Sequence, residues 1–211
     1  MIHLTIDGQA VDYEESTTIL EAAKELGIKI PTLCYNEYIK PYGGCRLCLV
    51  EVALESAPER TRLMPSCCTN IADGYIVQTA SEHVLNAQRF MIELYLARCP
   101  ESEELQKIAR ELGVSENREE LDPVGRYLLT RTTPPADTKC ILCGLCVRVC
   151  AEITGRHALS FELRGMDRKV SPPFHRYAET CIGCQSCAYV CPTGAITIDE
   201  LDAGGNVIDD A

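Results

Sequence analysis

The N-terminal segment alternates apolar and polar side chains on either side of Asp7-Gly8. This alternation predicts two short strands, 2–6 and 9–13, joined by a tight turn. Ser16-Thr17-Thr18 then precedes an amphipathic run at 19–27, which predicts a capped helix that ends at its final glycine.

Two further apolar runs, 47–54 and 75–77, predict strands that follow a loop rich in Pro, Tyr and Gly. Two strands, a helix, a loop and more strands predict an α+β fold whose helix packs on one face of the sheet. We therefore predict a first domain over residues 1–80.

A helical period replaces this pattern after Ser81 and ends near Arg98. The apolar residues at helical intervals are Val84, Leu85, Phe90, Met91, Leu94, Tyr95 and Leu96. A second helix is predicted over 101–112, because Gly113 follows it. Four apolar residues lie on one face of that helix: Leu105, Ile108, Ala109 and Leu112. Together the two helices predict a helical connector over 81–118.

The remaining segment, 119–211, is predicted to form a separate domain that carries most of the cysteines. It includes most of a polar stretch at 115–139 and ends in an acidic, Gly-containing tail at 199–211, which we expect to be frayed. One cysteine pattern occurs twice within it, which predicts a pseudo-two-fold module whose halves complete each other.

The chain has 211 residues, of which 14 are cysteine, and a formal net charge of −11. Its start lacks the basic and apolar regions of a signal peptide, and no apolar run is long enough to span a membrane. We therefore expect a cytoplasmic protein whose cysteines are metal ligands or redox groups. The acidic charge argues against binding to nucleic acid, whose phosphates it would repel.

The repeated pattern is C-x2-C-x2-C-x3-C, with Pro192 after its second copy. In bacterial two-cluster ferredoxins the fourth cysteine of each such run ligates the other cluster. The spacing thus predicts one [4Fe–4S] site at Cys140, Cys143, Cys146 and Cys191. It predicts a second at Cys181, Cys184, Cys187 and Cys150.

The three closely spaced thiolates of each run can wrap one cluster, and the fourth is predicted to start a helix that points away. Gly144 and Gly183 are expected to let backbone amides approach cluster sulfur. Two zinc sites are the alternative, but zinc ligands usually come as paired C-x2-C units.

The N-terminal cysteines follow the order C-x10-C-x2-C-x18-C, which is similar to the plant-type [2Fe–2S] order with a longer first gap. This predicts a [2Fe–2S] site at Cys34, Cys45, Cys48 and Cys67, in a β-grasp ferredoxin domain. Gly43-Gly44 permits the loop to curl around inorganic sulfide. Cys68 competes for the fourth position; we choose its neighbour and expect Cys68 to be a buried small hydrophobe.

These motifs together resemble the iron–sulfur segment of the large soluble subunit of respiratory complex I, and the small diaphorase subunit of NAD-linked hydrogenases. The resemblance also extends to the N-terminal arm of iron-only hydrogenases. It rests on the cysteines named above, on Pro65-Ser66 before the fourth [2Fe–2S] cysteine, on the Cys-Val-Arg-Val-Cys step, and on 158–165 and Ser171-Pro172-Pro173.

One departure from that family concerns an H-x3-C-x2-C-x5-C cluster that its members usually carry between the two modules. Here the corresponding stretch offers only Cys99, and residues 100–139 contain neither cysteine nor histidine. His83 lies too far upstream to replace the missing ligands. We therefore predict that this cluster is absent, that the helix at 101–112 takes its place, and that Cys99 is a core thiol.

The remaining polar candidates are isolated. None of the four histidines has a neighbouring ligand at metal spacing: His3, His83, His157 and His175. Four basic residues form a stretch between the ferredoxin runs that predicts a solvated loop, with docking against an acidic flavoprotein as the alternative: Arg164, Arg168, Lys169 and Arg176.

The resemblance implies a non-catalytic electron-transfer subunit of a hetero-oligomeric, NAD(P)-linked oxidoreductase. One partner would be a flavoprotein that binds NAD(P)H, and the other a catalytic subunit of hydrogenase or formate dehydrogenase type. Two alternatives stay open: a free, diffusing polyferredoxin, and the iron–sulfur subunit of a succinate or fumarate dehydrogenase. The latter family carries a [3Fe–4S] centre with altered cysteine spacing, which is not seen here. No nucleotide-binding glycine motif is present.

Overall fold

The computed structural model describes three stretches of the chain: 1–115, 139–173 and 179–198. Several predictions lie outside them, namely those for the interior of the polar stretch at 115–139, for His175 and Arg176, and for the tail at 199–211. The domain limits at 1–80, 81–118 and 119–211 stay predictions.

The N-terminal region forms a five-stranded mixed sheet. Its strands are β1 (Ile2–Ile6), β2 (Gln9–Tyr13), β3 (Leu49–Leu54), β4 (Ala57–Pro65) and β5 (Tyr75–Gln78). Their order is β2-β1-β5-β3-β4, with β1 and β5 parallel and the other neighbours antiparallel. The β1–β2 hairpin is confirmed, and both residues of its turn, Asp7 and Gly8, have positive φ, as a tight hairpin requires.

Helix α1 (Ile19–Glu25) begins with the predicted cap. The Thr18 hydroxyl accepts from the Glu21 amide at 3.2 Å, and the Glu21 carboxylate accepts from the Thr18 amide at 3.1 Å. The apolar face of α1 packs on β1, β3 and β5 in the first hydrophobic core. The predicted α+β arrangement, with the helix on one sheet face, is confirmed.

Strand β4 is absent from the prediction, because its sequence, APERTRLMP, lacks an apolar face. None of its residues is buried. It pairs with β3 from Leu49 opposite Pro65 to Leu54 opposite Ala57, and forms the edge of the sheet. Charged residues and proline are common on such edges because they discourage pairing with another chain.

Helices α2 (Glu82–Arg98) and α3 (Glu103–Leu112) confirm the predicted helical segment, with caps at Ser81 and Ser102. The buried face of α2 consists of Val84, Gln88, Ile92, Leu96 and Ala97. The sequence analysis missed Gln88, a polar residue whose side-chain amide donates to the Leu49 carbonyl at 3.2 Å. The α2–α3 pair packs directly on the segment that carries the first cysteines, in a second core that includes Leu33 and Leu47.

The described part of the C-terminal region contains α4 (Leu145–Glu152), β6 (Ser160–Glu162), a 3₁₀ helix (Gly165–Asp167), β7 (Lys169–Ser171) and α5 (Ser186–Tyr189). The prediction that the fourth cysteine of each run starts a helix is wrong for both runs, since in the second run α5 contains Cys187 and ends at Tyr189, before Cys191. Helix α4 begins before Cys146, and Cys150 lies one turn further along the same helix. A single helix therefore presents cysteines of both predicted [4Fe–4S] sets.

Candidate metal centres

The four cysteines predicted for the [2Fe–2S] site converge although they come from three places in the chain. Cys34 and Cys45 lie on the segment between α1 and β3, Cys48 lies directly before β3, and Cys67 lies in a 3₁₀ turn after β4. Each is at most 2% exposed. The pairing of β3 with β4 brings the turn to the loop, since the Ser66 amide and hydroxyl both donate to the Cys48 carbonyl.

Their thiols form two hydrogen-bonded pairs. A hydrogen bond with Cys45 lowers the pKa of Cys34 to about 6, while the same bond raises the pKa of Cys45. A hydrogen bond with Cys67 lowers the pKa of Cys48 to about 7, and the pKa of Cys67 is raised. Each pair thus behaves as one thiolate sharing a proton with its neighbour. Two thiols for each of two irons is the donor set of a [2Fe–2S] centre.

Cys68 is exposed, so the prediction that it is a buried hydrophobe is wrong. Its thiol lies on the outer side of the turn and faces the Pro65 carbonyl at 3.8 Å. It also covers Gly43, where a Cβ atom would lie 2.6 Å from the Cys68 sulfur. Cys68 therefore packs against the outside of the cysteine loop, whereas Cys67 faces its inside.

The first predicted [4Fe–4S] set is also brought together. Burial raises the pKa of Cys143 to about 11, and the nearby Cys191 and Cys140 thiols add to this effect. Burial raises the pKa of Cys146 to about 12, with contributions from Cys143, Cys140 and Cys191. Cys191, from the second run, thus lies among the first three cysteines of the first run.

The second set lines a cavity of about 380 Å³. Its wall contains Cys181, Cys184 and Cys187 from the second run and Cys150 from the first. Apolar side chains such as Ala158, Ile182 and Ile196 complete the lining. The crossover of the fourth cysteines is therefore a feature of the fold in both directions.

Backbone amides donate to several of these sulfur atoms, and three of the bonds are 3.2 to 3.3 Å long. The Cys45 amide reaches the Cys34 sulfur at 3.3 Å, the Ala158 amide reaches Cys150 at 3.3 Å, and the Ala195 amide reaches Cys191 at 3.2 Å. Such bonds stabilise a thiolate.

Two glycines shape the turns of the four-iron runs. Gly144 and Gly183 both have positive φ, and a Cβ on Gly144 would lie 3.1 Å from the Phe161 ring. Their role in the turns agrees with the freedom expected of glycine, although the three amide donors named above belong to other residues.

Two residues near the cysteines escaped the sequence analysis. The Tyr95 hydroxyl on α2 donates to the Cys45 carbonyl at 3.0 Å. Burial, followed by the neighbouring Cys45, Cys34 and Cys143 thiols, raises its pKa. Arg148 on α4 donates to the Cys34 carbonyl at 2.9 Å. The helical period marks Tyr95 only as an apolar position of α2, whereas a cation inside the Cys-Val-Arg-Val-Cys step could have singled out Arg148.

The remaining candidates differ in outcome: Cys99 is the buried thiol that was predicted, whereas part of the basic stretch, predicted to be a loop, forms strand β7. Cys99 is 1% exposed and packs with Leu105 and Ile108 of α3, and burial raises its pKa to about 11. His3 and His83 are exposed and contact Asp12 and Glu51. The basic stretch borders the β6–β7 hairpin, where Arg168 lies 3.8 Å from the centre of the Phe161 ring.

The donor sets fit iron–sulfur clusters. Four buried thiols in two pairs suit a two-iron centre, and two four-thiol groups with amide donors to sulfur suit four-iron centres. Iron–sulfur ligation needs thiolates, and the lowered pKa values of Cys34 and Cys48 ease their formation. The residues present therefore define an iron–sulfur electron-transfer protein with two ferredoxin-type modules.

Comparison with known proteins agrees with this class. Residues 1–82 match the 2Fe-2S iron-sulfur cluster binding domain, and residues 139–195 match the 4Fe-4S dicluster domain. The predicted order of a [2Fe–2S] ferredoxin domain followed by a bacterial-ferredoxin-like domain is thereby confirmed.

Two similar proteins match nearly the whole chain. A G-type subunit of the NADH-quinone oxidoreductase of Rhizobium meliloti is 36% identical over 93% of this chain, and the HndD subunit of the NADP-reducing hydrogenase of Solidesulfovibrio fructosivorans is 35% identical over 95%. The chain spans only 24% and 36% of their lengths. A chain of the NAD+-reducing [NiFe]-hydrogenase structure in the H2-reduced state is 27% identical, with a TM-score of 0.72 over 92% of this chain and 86% of that one.

The chain therefore carries a 2Fe-2S iron-sulfur cluster binding domain and a 4Fe-4S dicluster domain, and over nearly its whole length it is similar to part of a G-type subunit of NADH-quinone oxidoreductase and to part of the HndD subunit of NADP-reducing hydrogenase. The resemblance stated from the cysteine motifs is confirmed. Among the described residues, every helix is too short or too polar to cross a membrane.

Proposed function

We propose that this chain relays single electrons through one [2Fe–2S] and two [4Fe–4S] centres, between a flavoprotein that binds NAD(P)H and a catalytic redox subunit. The observation that carries the proposal is the continuity of the three thiol groups. Cys143 packs against the buried core that contains Cys34 and Cys45, so the two-iron set adjoins the first four-iron set. Helix α4 then joins the first four-iron set to the second through Cys146 and Cys150.

The proposed ligands are the twelve predicted cysteines. The two-iron centre takes Cys34, Cys45, Cys48 and Cys67. The first four-iron centre takes Cys140, Cys143, Cys146 and Cys191. The second takes Cys150, Cys181, Cys184 and Cys187. When bound, the clusters supply one-electron redox chemistry, and the protein contributes burial, hydrogen bonds and position.

This chain's own residues control the surroundings of each site. Cys34 and Cys45 are buried in the core that contains residues of α2 and α3, whereas Cys48 and Cys67 are buried in the core of α1 and the sheet. Tyr95 lies beside the thiols of the two-iron set and Cys143, and its hydroxyl fixes the Cys45 carbonyl. Amide donors to the sulfur atoms favour the thiolate state and, in such centres, help to set the potential.

The second four-iron site is proposed as the end that meets a redox partner. Cys181 and Cys184 are exposed, in contrast to the buried two-iron thiols. Two apolar side chains beside them also face solvent: Ile182 is 56% exposed and Tyr189 is 89% exposed. Exposed apolar side chains around a redox centre suit a surface that a second subunit covers.

The names of the relatives support a pyridine-nucleotide-linked complex rather than a succinate or fumarate dehydrogenase, since they refer to NADH and NADP. We propose that the flavin site and the catalytic function reside on redox partners of the two ferredoxin-type modules. The catalytic partner would be of hydrogenase or formate dehydrogenase type.

The test is purification of the native complex under anaerobic conditions, followed by identification of its subunits. A flavin-containing chain and a catalytic redox chain should elute together with this protein. A free polyferredoxin would instead elute alone with its clusters intact, and that result would contradict the proposal.

A further inference from the structure

Arg148 connects the helix of the four-iron modules to the segment that carries the first two-iron cysteine. It lies on α4 between Cys146 and Cys150. One guanidinium nitrogen, Nη2, donates to the Cys34 carbonyl at 2.9 Å, and the other, Nη1, donates to the Lys40 carbonyl. The guanidinium thus holds two points of the 34–40 segment at once.

Two further contacts stabilise the packing of Arg148 on the 34–40 segment. The guanidinium lies 5.2 Å from the centre of the Tyr42 ring, a distance suited to a cation–π interaction. One turn along α4, the Glu152 carboxylate accepts from the Lys40 amide at 2.8 Å. Arg148 and Glu152, four residues apart on α4, therefore both hydrogen-bond to the 34–40 segment. The bonded positions are separated by 108 to 114 residues in sequence.

The charge of Arg148 lies close to the first two-iron cysteine, because its guanidinium contacts the Cys34 carbonyl at 2.9 Å. Arginine remains charged in proteins, so this field is permanent. Its Nε–H is buried and has no hydrogen-bond acceptor among the described residues. A buried cationic donor without an acceptor is costly unless a negative group lies near it.

A cluster becomes more negative when it accepts an electron, so a fixed positive charge favours its reduced form. We propose that Arg148 is a positioning residue that raises the midpoint potential of the two-iron centre while it holds the 34–40 segment against α4. The inference rests on the proposed assignment of Cys34 as a cluster ligand. A residue on α4, the helix that carries proposed ligands of both four-iron centres, would thus set the potential of the two-iron centre.

The test is a redox titration of the cluster-loaded protein, followed by electron paramagnetic resonance, on wild type, R148Q and R148K. R148Q removes the charge. We expect R148Q to weaken the reduction equilibrium of the two-iron centre roughly three- to tenfold. A tenfold change corresponds to a midpoint potential lower by about 59 mV for one electron. R148K keeps the charge without the two-point grip, and should recover more than half of that shift.

The matched control is R60Q, which removes one positive charge from an 83% exposed arginine in strand β4. Its two-iron potential should equal that of wild type. An R148Q shift no larger than that of R60Q overturns the inference, as does an R148K potential equal to that of R148Q. If wild type shows no two-iron signal at all, the proposed function itself fails, so the two failures are distinguishable.

A second variant decides the question if R148Q loses the two-iron signal. E152Q serves this purpose, because glutamine can still accept from the Lys40 amide but carries no negative charge. The electrostatic role then requires an upward shift of the two-iron potential in E152Q. An unchanged or lowered potential overturns it.

Discussion

Cys67 and Cys68 are adjacent in sequence, but Cys67 is buried and Cys68 is exposed in the turn that follows β4. Cys67 is 1% exposed and hydrogen-bonds with Cys48, whereas Cys68 is exposed and covers Gly43 from outside. The two positions therefore form a natural matched pair for testing which thiol serves the two-iron centre.

Replacement of Cys67 by serine should abolish the [2Fe–2S] electron paramagnetic resonance signal of the reduced protein. Cys68→Ser is the control and should keep the signal, because the Cys68 thiol is exposed and faces the Pro65 carbonyl, whereas Cys48 is hydrogen-bonded to Cys67. The reverse outcome, with the signal lost only in Cys68→Ser, would show that the fourth ligand has been misassigned.

Gly43→Ala should weaken the two-iron site. Gly43 has a φ of +64°, and an added Cβ would meet the Cys68 sulfur at 2.6 Å. The left-handed conformation alone costs an alanine about 1–2 kcal/mol, and the displaced thiol adds to that cost. We expect fewer two-iron centres per chain, measured by iron content and by visible circular dichroism.

Gly27→Ala is the matched control for Gly43→Ala. Its φ is +74°, but a Cβ there would meet no atom within 4 Å. It should lower the melting temperature without a change in cluster content. Equal cluster content in the two variants would mean that the contact between Gly43 and Cys68 does not shape the site.

The crossover of the fourth cysteines predicts which variants behave alike. Cys191→Ser should perturb the same four-iron signal as Cys143→Ser, because both thiols belong to the first set. Cys150→Ser should match Cys184→Ser, since both line the second cavity. Mössbauer and electron paramagnetic resonance spectra of the four variants provide the measurement. If Cys150→Ser instead grouped with Cys143→Ser, each run would ligate its own cluster.

Thr18→Ala should destabilise the N-terminal domain by about 1 kcal/mol, the usual contribution of an N-cap side chain. The Thr18 hydroxyl both accepts from the Glu21 amide and donates to its carboxylate at 2.8 Å, so the substitution removes two contacts. Thermal unfolding of the cluster-loaded protein provides the measurement. Ser16→Ala, at an exposed neighbouring position, should melt like wild type; equal melting of all three proteins would contradict the capping role.

Local patterns predicted much of this fold because their causes are local. The β1–β2 hairpin follows from alternation about Asp7-Gly8, and α1 follows from Thr18 and Glu21. Strand β4 was missed because its pairing with β3 stabilises it at a sheet edge, without the apolar face that marks buried strands.

The candidate site likewise combines features that local sequence predicts with features that depend on tertiary packing. Cysteine spacing predicts which thiols belong together, because cluster geometry constrains that spacing. The exposure of Cys68 could not be read from its residue type, since it depends on which way the turn faces. The contact of Arg148 with Cys34 spans 114 positions and depends on how the two modules pack, which no local pattern records.

The most direct test of the account is the iron, sulfide and zinc content of the anaerobically purified protein. One [2Fe–2S] and two [4Fe–4S] centres predict about ten iron and ten sulfide ions per chain. Colourless protein, or protein that holds zinc in place of iron, would contradict the account.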